Sequence, residues 1–229
     1  MKRFRISPNV DQELAIDHYR KLAKDYDASC MLIEPIRQKA IAMLDLKRGE
    51  IVLDVASGTG KSIVPMSRAV GSDGCIVAIE QSPDMAAISE ARVIQHSLQN
   101  VIHIIAPAEQ AVINKRADAA LFHYTHDVFR SPAALANIMS ALRPGARIVV
   151  AGYKSARGLR AVFNPWFRFR ARGYLSTFEG IDAPWNHLLS YTPDFVIESE
   201  YFLGSGYIGT ASMPVVRVVS LPLKQGTSA

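Results

Sequence analysis

Ile51-Val52-Leu53-Asp54-Val55-Ala56-Ser57-Gly58-Thr59-Gly60-Lys61-Ser62 is the stretch on which the fold turns. Ile51 to Val55 are apolar or β-branched except for Asp54, and such a run reads as a buried parallel strand. A turn of small residues follows, Ala56 to Gly60, and an amphipathic run begins at Lys61. Strand, tight turn and helix open a βαβ unit, whose turn can carry a nucleotide-like ligand. Glycine suits that turn because a side chain would keep a ligand off the backbone and forbid a left-handed conformation.

Two phosphate-binding patterns fail here. A P-loop needs G-x-x-x-x-G-K-[ST]; Gly60-Lys61-Ser62 supplies its end, but Val55 stands where the first glycine belongs. A dinucleotide turn needs G-x-G-x-x-G, and Ile63 stands three residues after Gly60. The stretch instead resembles the class I S-adenosylmethionine methyltransferase pattern V-L-D-x-G-x-G-x-G, through Val52-Leu53-Asp54, Gly58 and Gly60. Ala56 replaces that pattern's first glycine. The resemblance implies a Rossmann-like α/β fold with a seven-stranded doubly wound sheet. Strands 1–5 would be parallel, strands 6–7 a terminal hairpin, and a helical cap would be inserted after strand 5. It further implies S-adenosylmethionine as cofactor, S-adenosylhomocysteine as product, and Asp54, Ala56, Ser57, Gly58 and Gly60 at the cofactor.

The rest of the chain follows that order. Cys75 to Ile79 is a second strand ending on Glu80, twenty residues past Gly60. An acid there can accept hydrogen bonds from both ribose hydroxyls, and the resembling family keeps its ribose acid at this place, with Gln81 beside it. Ser82-Pro83-Asp84-Met85 reads as a helix cap and first turn; the resemblance puts Met85 against the adenine. Val101 to Ile105 is a third strand, followed by Ala106-Pro107-Ala108-Glu109, where the family usually has G-D-A-E. Pro107 takes the place of the adenine-binding aspartate, so that hydrogen bond is lost or taken over by Glu109 or a backbone carbonyl, with Ala108 and Glu109 the candidate contacts there. Asp118 to Phe122 is a fourth strand, leading into His123-Tyr124-Thr125-His126-Asp127. Ligands in a doubly wound sheet sit beyond the carboxyl ends of its strands. His123 and His126 are therefore candidate general bases near neutral pH, His123 also a candidate cofactor contact and Tyr124 an acceptor contact. Methyl transfer from a sulfonium can also run on alignment alone, which can supply about 7–11 kcal/mol. The alternative is that His123 packs against the cofactor while Asp127 caps the helix at Ser131-Pro132. That helix runs to Leu142, and Ala146 to Ala151 is a fifth strand behind Arg143-Pro144-Gly145. Phe195 to Leu203 and Val215 to Leu221 suit the two closing strands.

The chain divides into an N-terminal helical cover (1–50), a cofactor core (51–152), a cap (153–194) and closing strands (195–221), all within one domain. In the cover, Asp11 starts one helix and Pro35 a second, with Ile36, Ala40, Ile41 and Leu44 inward; by the resemblance Tyr19 and Tyr26 would face the cofactor. The cap is too long for a simple crossover. Its Asn164-Pro165-Trp166-Phe167 differs in position from the N-P-P-Y signature of DNA amino-methyltransferases, and reads as a helix cap and first turn. Trp166, Phe167, Phe169 and Ala171 share a face there, with Arg168 and Arg172 opposite. Trp166, Trp185 and Tyr191 are candidate acceptor contacts.

At 229 residues and 49% apolar content the chain can build one full core. No apolar run reaches the length of a membrane span, no signal-peptide core follows Met1-Lys2-Arg3-Phe4-Arg5, and two distant cysteines suggest a reducing compartment without a metal site. A cytoplasmic protein is the expectation. The net charge of +5 is local. Six basic residues and no acid lie from Lys154 to Arg172, and taking them from 26 basic residues leaves 20 against 21 acids, a balance of −1. Residues 157–172 could close over an apolar acceptor, lie on an anionic membrane or touch nucleic acid; the small patch argues against the last. The function expected is methyl transfer to an apolar or aromatic small molecule, on oxygen, nitrogen or carbon, as in the quinone-biosynthesis methyltransferases. The alternatives are a protein that binds the cofactor or another nucleoside without transfer, and a methyltransferase of a membrane-associated lipid or quinone. The oligomeric state is left open, a homodimer included.

Overall fold

The computed structural model describes residues 31–172 and 177–215, the side chain of Arg170 excepted. Tyr19, Tyr26, the helix expected from Asp11, Tyr174 and residues 216–221 lie outside them. A 3-10 turn (Met31–Ile33) leads into α1 (Glu34–Met43), with Pro35 in its first turn. The chain continues through β1 (Ile51–Val55), α2 (Ile63–Val70), β2 (Cys75–Glu80), α3 (Pro83–Gln95), β3 (Val101–Ile105) and β4 (Ala117–His123). After β4 come α4 (His126–Arg130), α5 (Pro132–Ser140), β5 (Leu142–Tyr153), α6 (Asn164–Ala171), β6 (Val196–Tyr201) and β7 (Gly206–Ser212). One sheet holds all seven strands in the order β3-β2-β1-β4-β5-β7-β6. β1 to β5 are parallel, and β7 is antiparallel to both neighbours. The expected fold class is present, hairpin and cap included.

Alternation along the central strands sorts side chains to two faces. Leu53, Val55, Phe122, Ile148 and Val150 pack with α5 on one face. Val52, Ala119, Leu121 and Val149 pack against Ile36, Ala40 and Leu44 of α1 and Ile63 and Met66 of α2 on the other. Asp54 and His123 fall on that second face by the same period. They end neighbouring strands, since Asp54 pairs with Leu121 and Val55 with Phe122. Helix α1 therefore covers the place where the site must form.

Five expectations are corrected. The seventh strand is Gly206–Ser212, not a run beginning at Val215. That segment has few large apolar residues because glycine is needed: a Cβ on Gly209 would stand 2.3 Å from the Phe195 ring. The fifth strand runs two residues past Ala151, to Tyr153, and the helix before it ends at Ser140, not Leu142. Ser131, not Asp127, caps that helix, accepting a hydrogen bond from the Ala134 amide at 3.1 Å. Asn164 caps nothing: its amide exchanges two hydrogen bonds with the Ala156 backbone, at 2.9 and 3.0 Å, and pins the chain leaving β5.

Candidate functional site

The turn after β1 is held open by its backbone. Ala56, Gly58 and Gly60 all have positive φ, +52°, +56° and +76°. The two glycines serve different purposes. A Cβ on Gly60 would lie 2.3 Å from Ser89 Oγ of α3, so Gly60 lets helix and turn close together. A Cβ on Gly58 would meet nothing within 4 Å, so that side of the turn faces open space. Glu80, at the end of β2, is buried and accepts the Gly58 amide on Oε2 and the Ser82 amide on Oε1, both at 2.8 Å. Burial raises its pKa, while the amides of Ser82, Gly58 and Gln81 pull it back. Ser82 also caps α3, accepting from Met85 N at 3.4 Å. The acid and the glycine turn thus form one bonded unit before any ligand arrives.

Beside that unit lies a set of buried polar atoms with no hydrogen-bond partner among the described residues: Asp54 Oδ2, Ser57 Oγ, His123 Nε2 and Thr125 Oγ1. Four such atoms at the ends of two adjacent strands are costly, since each lost partner leaves about 1–3 kcal/mol uncompensated. Asp54 is almost fully enclosed, and burial lifts its pKa from 3.8 to about 7; Arg37 opposes the rise and Glu80 adds to it. His123 is pushed well below its ordinary value by burial and then by the Arg37 charge, so the imidazole is neutral.

Arg37 is the contributor that the sequence did not reveal. It is 7% exposed, donates to Glu34 Oε2 at 3.1 Å and to Ser62 Oγ at 3.2 Å, and so ties α1 to the start of α2. A lone arginine on an amphipathic helix reads as solvent face; only the packing of α1 over β1 and β4 turns it inward.

The acceptor side opens with strain. Tyr124 has φ +60°, a rare conformation for a bulky residue. Its ring meets His123 at 4.8 Å and Tyr153 at 4.6 Å, and Tyr153 meets Phe167 of the cap at 4.9 Å, all edge-on. His126 bonds through Nε2 to the Glu179 carbonyl at 3.0 Å. A carbonyl only accepts, so Nε2 carries the proton and Nδ1 is the basic nitrogen. Burial lowers its pKa, less severely than that of His123.

Of the residues singled out by sequence, the structure gathers Asp54, Ala56, Ser57, Gly58, Gly60, Glu80, Gln81 and His123 at the carboxyl ends of the adjacent strands β2, β1 and β4. Met85 is fully buried behind the cap of α3. The Ala108 carbonyl is taken by Asn137 Nδ2 at 2.8 Å, which leaves Glu109 as the side chain on that loop. The acceptor candidates separate. Tyr124 stands beside His123, whereas Trp185 packs 5.6 Å from Phe195 and 5.0 Å from Tyr207 on the opposite face of the sheet, where Tyr191 also packs. Trp166 is 64% exposed. Tyr153 joins the site because β5 is longer than its apolar run suggests, and Thr125 because the loop after β4 turns it inward.

Glu80, the acceptors on Asp54 and Ser57 and the bare backbone face at Gly58 could together hold a nucleoside carrying positive charge. Residues 10–155 match the family model "Protein-L-isoaspartate(D-aspartate) O-methyltransferase (PCMT)". The chain is 24% identical over 187 residues to a malonyl-[acyl-carrier protein] O-methyltransferase of Marinomonas sp. (strain MWYL1), covering 78% of this chain and 67% of that protein. It is 27% identical over 151 residues to a demethylmenaquinone methyltransferase of Tropheryma whipplei (strain Twist), covering 63% and 61%. A solved S-adenosylmethionine-dependent methyltransferase from Aquifex aeolicus superposes with a TM-score of 0.63 at 18% identity, over 85% of this chain and 98% of that one, a likeness of fold.

Proposed function

The chain belongs to the protein-L-isoaspartate(D-aspartate) O-methyltransferase family of S-adenosylmethionine-dependent methyltransferases, and from that premise we propose that its acceptor is an apolar or aromatic small molecule. The observation carrying this reading is the row of rings Tyr124, Tyr153 and Phe167, which starts beside His123 at the crevice and runs under the cap. A flat apolar acceptor gains offset contacts of about 0.5–1.5 kcal/mol from each such ring. The relative named demethylmenaquinone methyltransferase is compatible with that class.

When bound, the cofactor supplies a methyl group on a sulfonium, already activated for attack. The chain's residues position it. Glu80 would hold the ribose, with Gln81 beside it, and Ala108 and Glu109 would border the adenine, with Met85 packed behind them. The bare backbone face at Gly58 would leave room for the ligand. Asp54 and Ser57 would offer acceptors to the amino-acid end, and the Arg37 cation would answer its carboxylate. Alignment of nucleophile and methyl does most of the catalytic work. Where the nucleophile needs deprotonation, His126 would be the base, through Nδ1, since burial lowers its pKa less than that of His123. His123 would then touch the cofactor.

Thermal melting with S-adenosylmethionine, S-adenosylhomocysteine and NAD tests the cofactor site. Ligand at a hundred times Kd should stabilise by about 2.7 kcal/mol. Glu80→Gln, which keeps the shape and part of the turn's bonding, should lose most of that shift. A shift with NAD alone overturns the S-adenosylmethionine assignment, and an unchanged shift in Glu80→Gln overturns the ribose assignment. Methyl transfer from labelled cofactor to a panel of quinols, phenols and indoles, against a panel of polar amines and acids, tests the acceptor class; transfer confined to the polar panel overturns it. Binding with no transfer to either panel favours a cofactor-binding protein without methyltransferase activity.

A further inference from the structure

The segment from Gly158 to Ala171, a 3-10 turn (Gly158–Phe163) running straight into α6, carries its large apolar side chains outward. Leu159, Val162, Trp166 and Phe169 are exposed by 96%, 74%, 64% and 68%. Their spacing of three, four and three residues makes one stripe on one side of the segment. Phe167 and Ala171 form the inward side, packed with Ile181. Of the face formed by Trp166, Phe167, Phe169 and Ala171, Phe167 and Ala171 pack inward and Trp166 and Phe169 face water.

A second tip lies beside it. Between β6 and β7, Phe202 and Leu203 both hold positive φ, +51° and +56°, and are exposed by 42% and 56%. Two consecutive bulky residues in a left-handed turn cost about 1–2 kcal/mol each. Polar residues or glycine would relieve the strain and the exposure together. The tip meets the first segment through Gly204, where a Cβ would lie 3.6 Å from Ala156 and 3.7 Å from Arg160.

Between the two tips is a cavity of about 320 Å³ lined by Lys154, Arg157, Leu159, Arg160, Glu200 and Gly204. Three cations face one carboxylate there. Lys154 is nearly buried and bonds Glu200 at 2.7 Å, with Arg160 at 3.7 Å from the same carboxylate, so one acid is shared by two cations. Arg168 and Arg172 lie over the Phe178 and Phe169 rings, both at 5.8 Å. From Lys154 to Phe178 the sequence contains no acid at all.

We propose that this face, the stripe Leu159-Val162-Trp166-Phe169 and the Phe202-Leu203 tip around the Lys154-Arg157-Arg160 cavity, docks the protein on an anionic lipid bilayer. The charge decides among occupants. An apolar stripe alone would suit a second copy of the chain, but the same face carries an excess of cations that a second copy would repel. An anionic headgroup layer over a hydrocarbon interior complements both features: apolar tips enter the acyl boundary and arginines meet headgroups. The inference does not depend on the acceptor, and its test reads binding, not activity.

Sedimentation of the full chain with vesicles of phosphatidylglycerol and phosphatidylcholine should pull the protein down, and pure phosphatidylcholine vesicles should not. Salt should release it, since exposed charges are screened. Arg157→Ser with Arg160→Ser should weaken partitioning about thirtyfold, at about 1 kcal/mol per arginine. Leu159→Ser with Val162→Ser should weaken it by a similar or larger factor while melting stays unchanged, because both residues are exposed. Trp166 gives a direct readout: brominated lipid should quench its fluorescence, with Trp185, packed in the sheet, spared. Equal binding to neutral vesicles, binding insensitive to the arginine pair, or no binding to either vesicle overturns the proposal. So does concentration-dependent self-association that protects Trp166 without lipid.

Discussion

The cofactor crevice and the cap break the rules of folding in opposite ways. In the crevice, buried polar atoms on Asp54, Ser57, His123 and Thr125 have no partner among the described residues. On the cap, large apolar side chains at Leu159, Val162, Trp166 and Phe169 are exposed. A folded chain tolerates either only where something outside it completes the account. The first deficit asks for a small polar molecule bearing charge, the second for an apolar surface. The difference also separates what makes each region rigid: the crevice is built on the ends of central strands, the cap on a satellite cluster of Phe167, Ala171 and Ile181.

The sharpest way to break that contrast is at the two glycines of one turn. Gly60→Ala adds a Cβ 2.3 Å from Ser89 Oγ at a φ of +76°. Overpacking and left-handed strain together should cost about 2–5 kcal/mol, seen as a large drop in Tm. Gly58→Ala, at φ +56° in open space, should pay only the strain, about 1–2 kcal/mol, yet should lose cofactor affinity as measured by calorimetry. Equal damage to stability in both would mean that Gly58 is structural too, and the crevice less open than its geometry shows.

The cap offers the matching pair. Phe167→Ala removes the ring that joins Tyr153 to the satellite cluster and should cost about 3 kcal/mol, read by chemical denaturation. Trp166→Ala, its neighbour, should change stability by less than about 0.5 kcal/mol, as exposed substitutions do. A large cost at Trp166 would mean that the exposed stripe is covered in solution.

Legibility followed the same line. β1, β2, β3 and the turn were readable because buried parallel strands are short apolar runs and because Glu80 stands at a fixed spacing from Gly60. Arg37 was not, since its burial is decided by the docking of α1 across strands far away in sequence. β7 was missed because Gly206 and Gly209 weaken its apolar pattern; they are there to admit the Phe202 and Phe195 rings. On α6 the amphipathic period was legible, but not which side packs. That was settled by Tyr153 and Ile181, which no local pattern places. Asn164 looked like a cap because asparagine before proline usually is one; its bonds run instead to Ala156.

The pH dependence isolates the deficit in the crevice. The folded chain keeps a proton on Asp54 up to about pH 7, whereas a free aspartate loses it near 3.8. Between those values the native state holds more protons, so this group's contribution to stability falls as pH rises. Asp54→Asn removes the titration. Relative to the parent, the variant should gain up to a few kcal/mol at pH 8 and nothing near pH 4, measured as Tm across that range. His123 has the opposite sign, because its depressed pKa costs stability as pH falls, and it cancels between the two chains. A pH-independent difference would place the Asp54 carboxylate in water.

The smallest effect belongs to Ala56, the family pattern's missing glycine. Its φ of +52° costs an alanine about 1–2 kcal/mol, and replacement by glycine returns about 0.4–1 kcal/mol of that to the unfolded chain. Ala56→Gly should therefore stabilise by about 0.5 kcal/mol, a rise of one or two degrees in Tm on the scale for chains of this size. Its methyl is exposed at the mouth of the crevice, so removing it uncovers more backbone to a ligand, and affinity for the cofactor should hold or improve. A loss of affinity would show that the methyl itself lines the site, making the alanine a contact and not a tolerated departure.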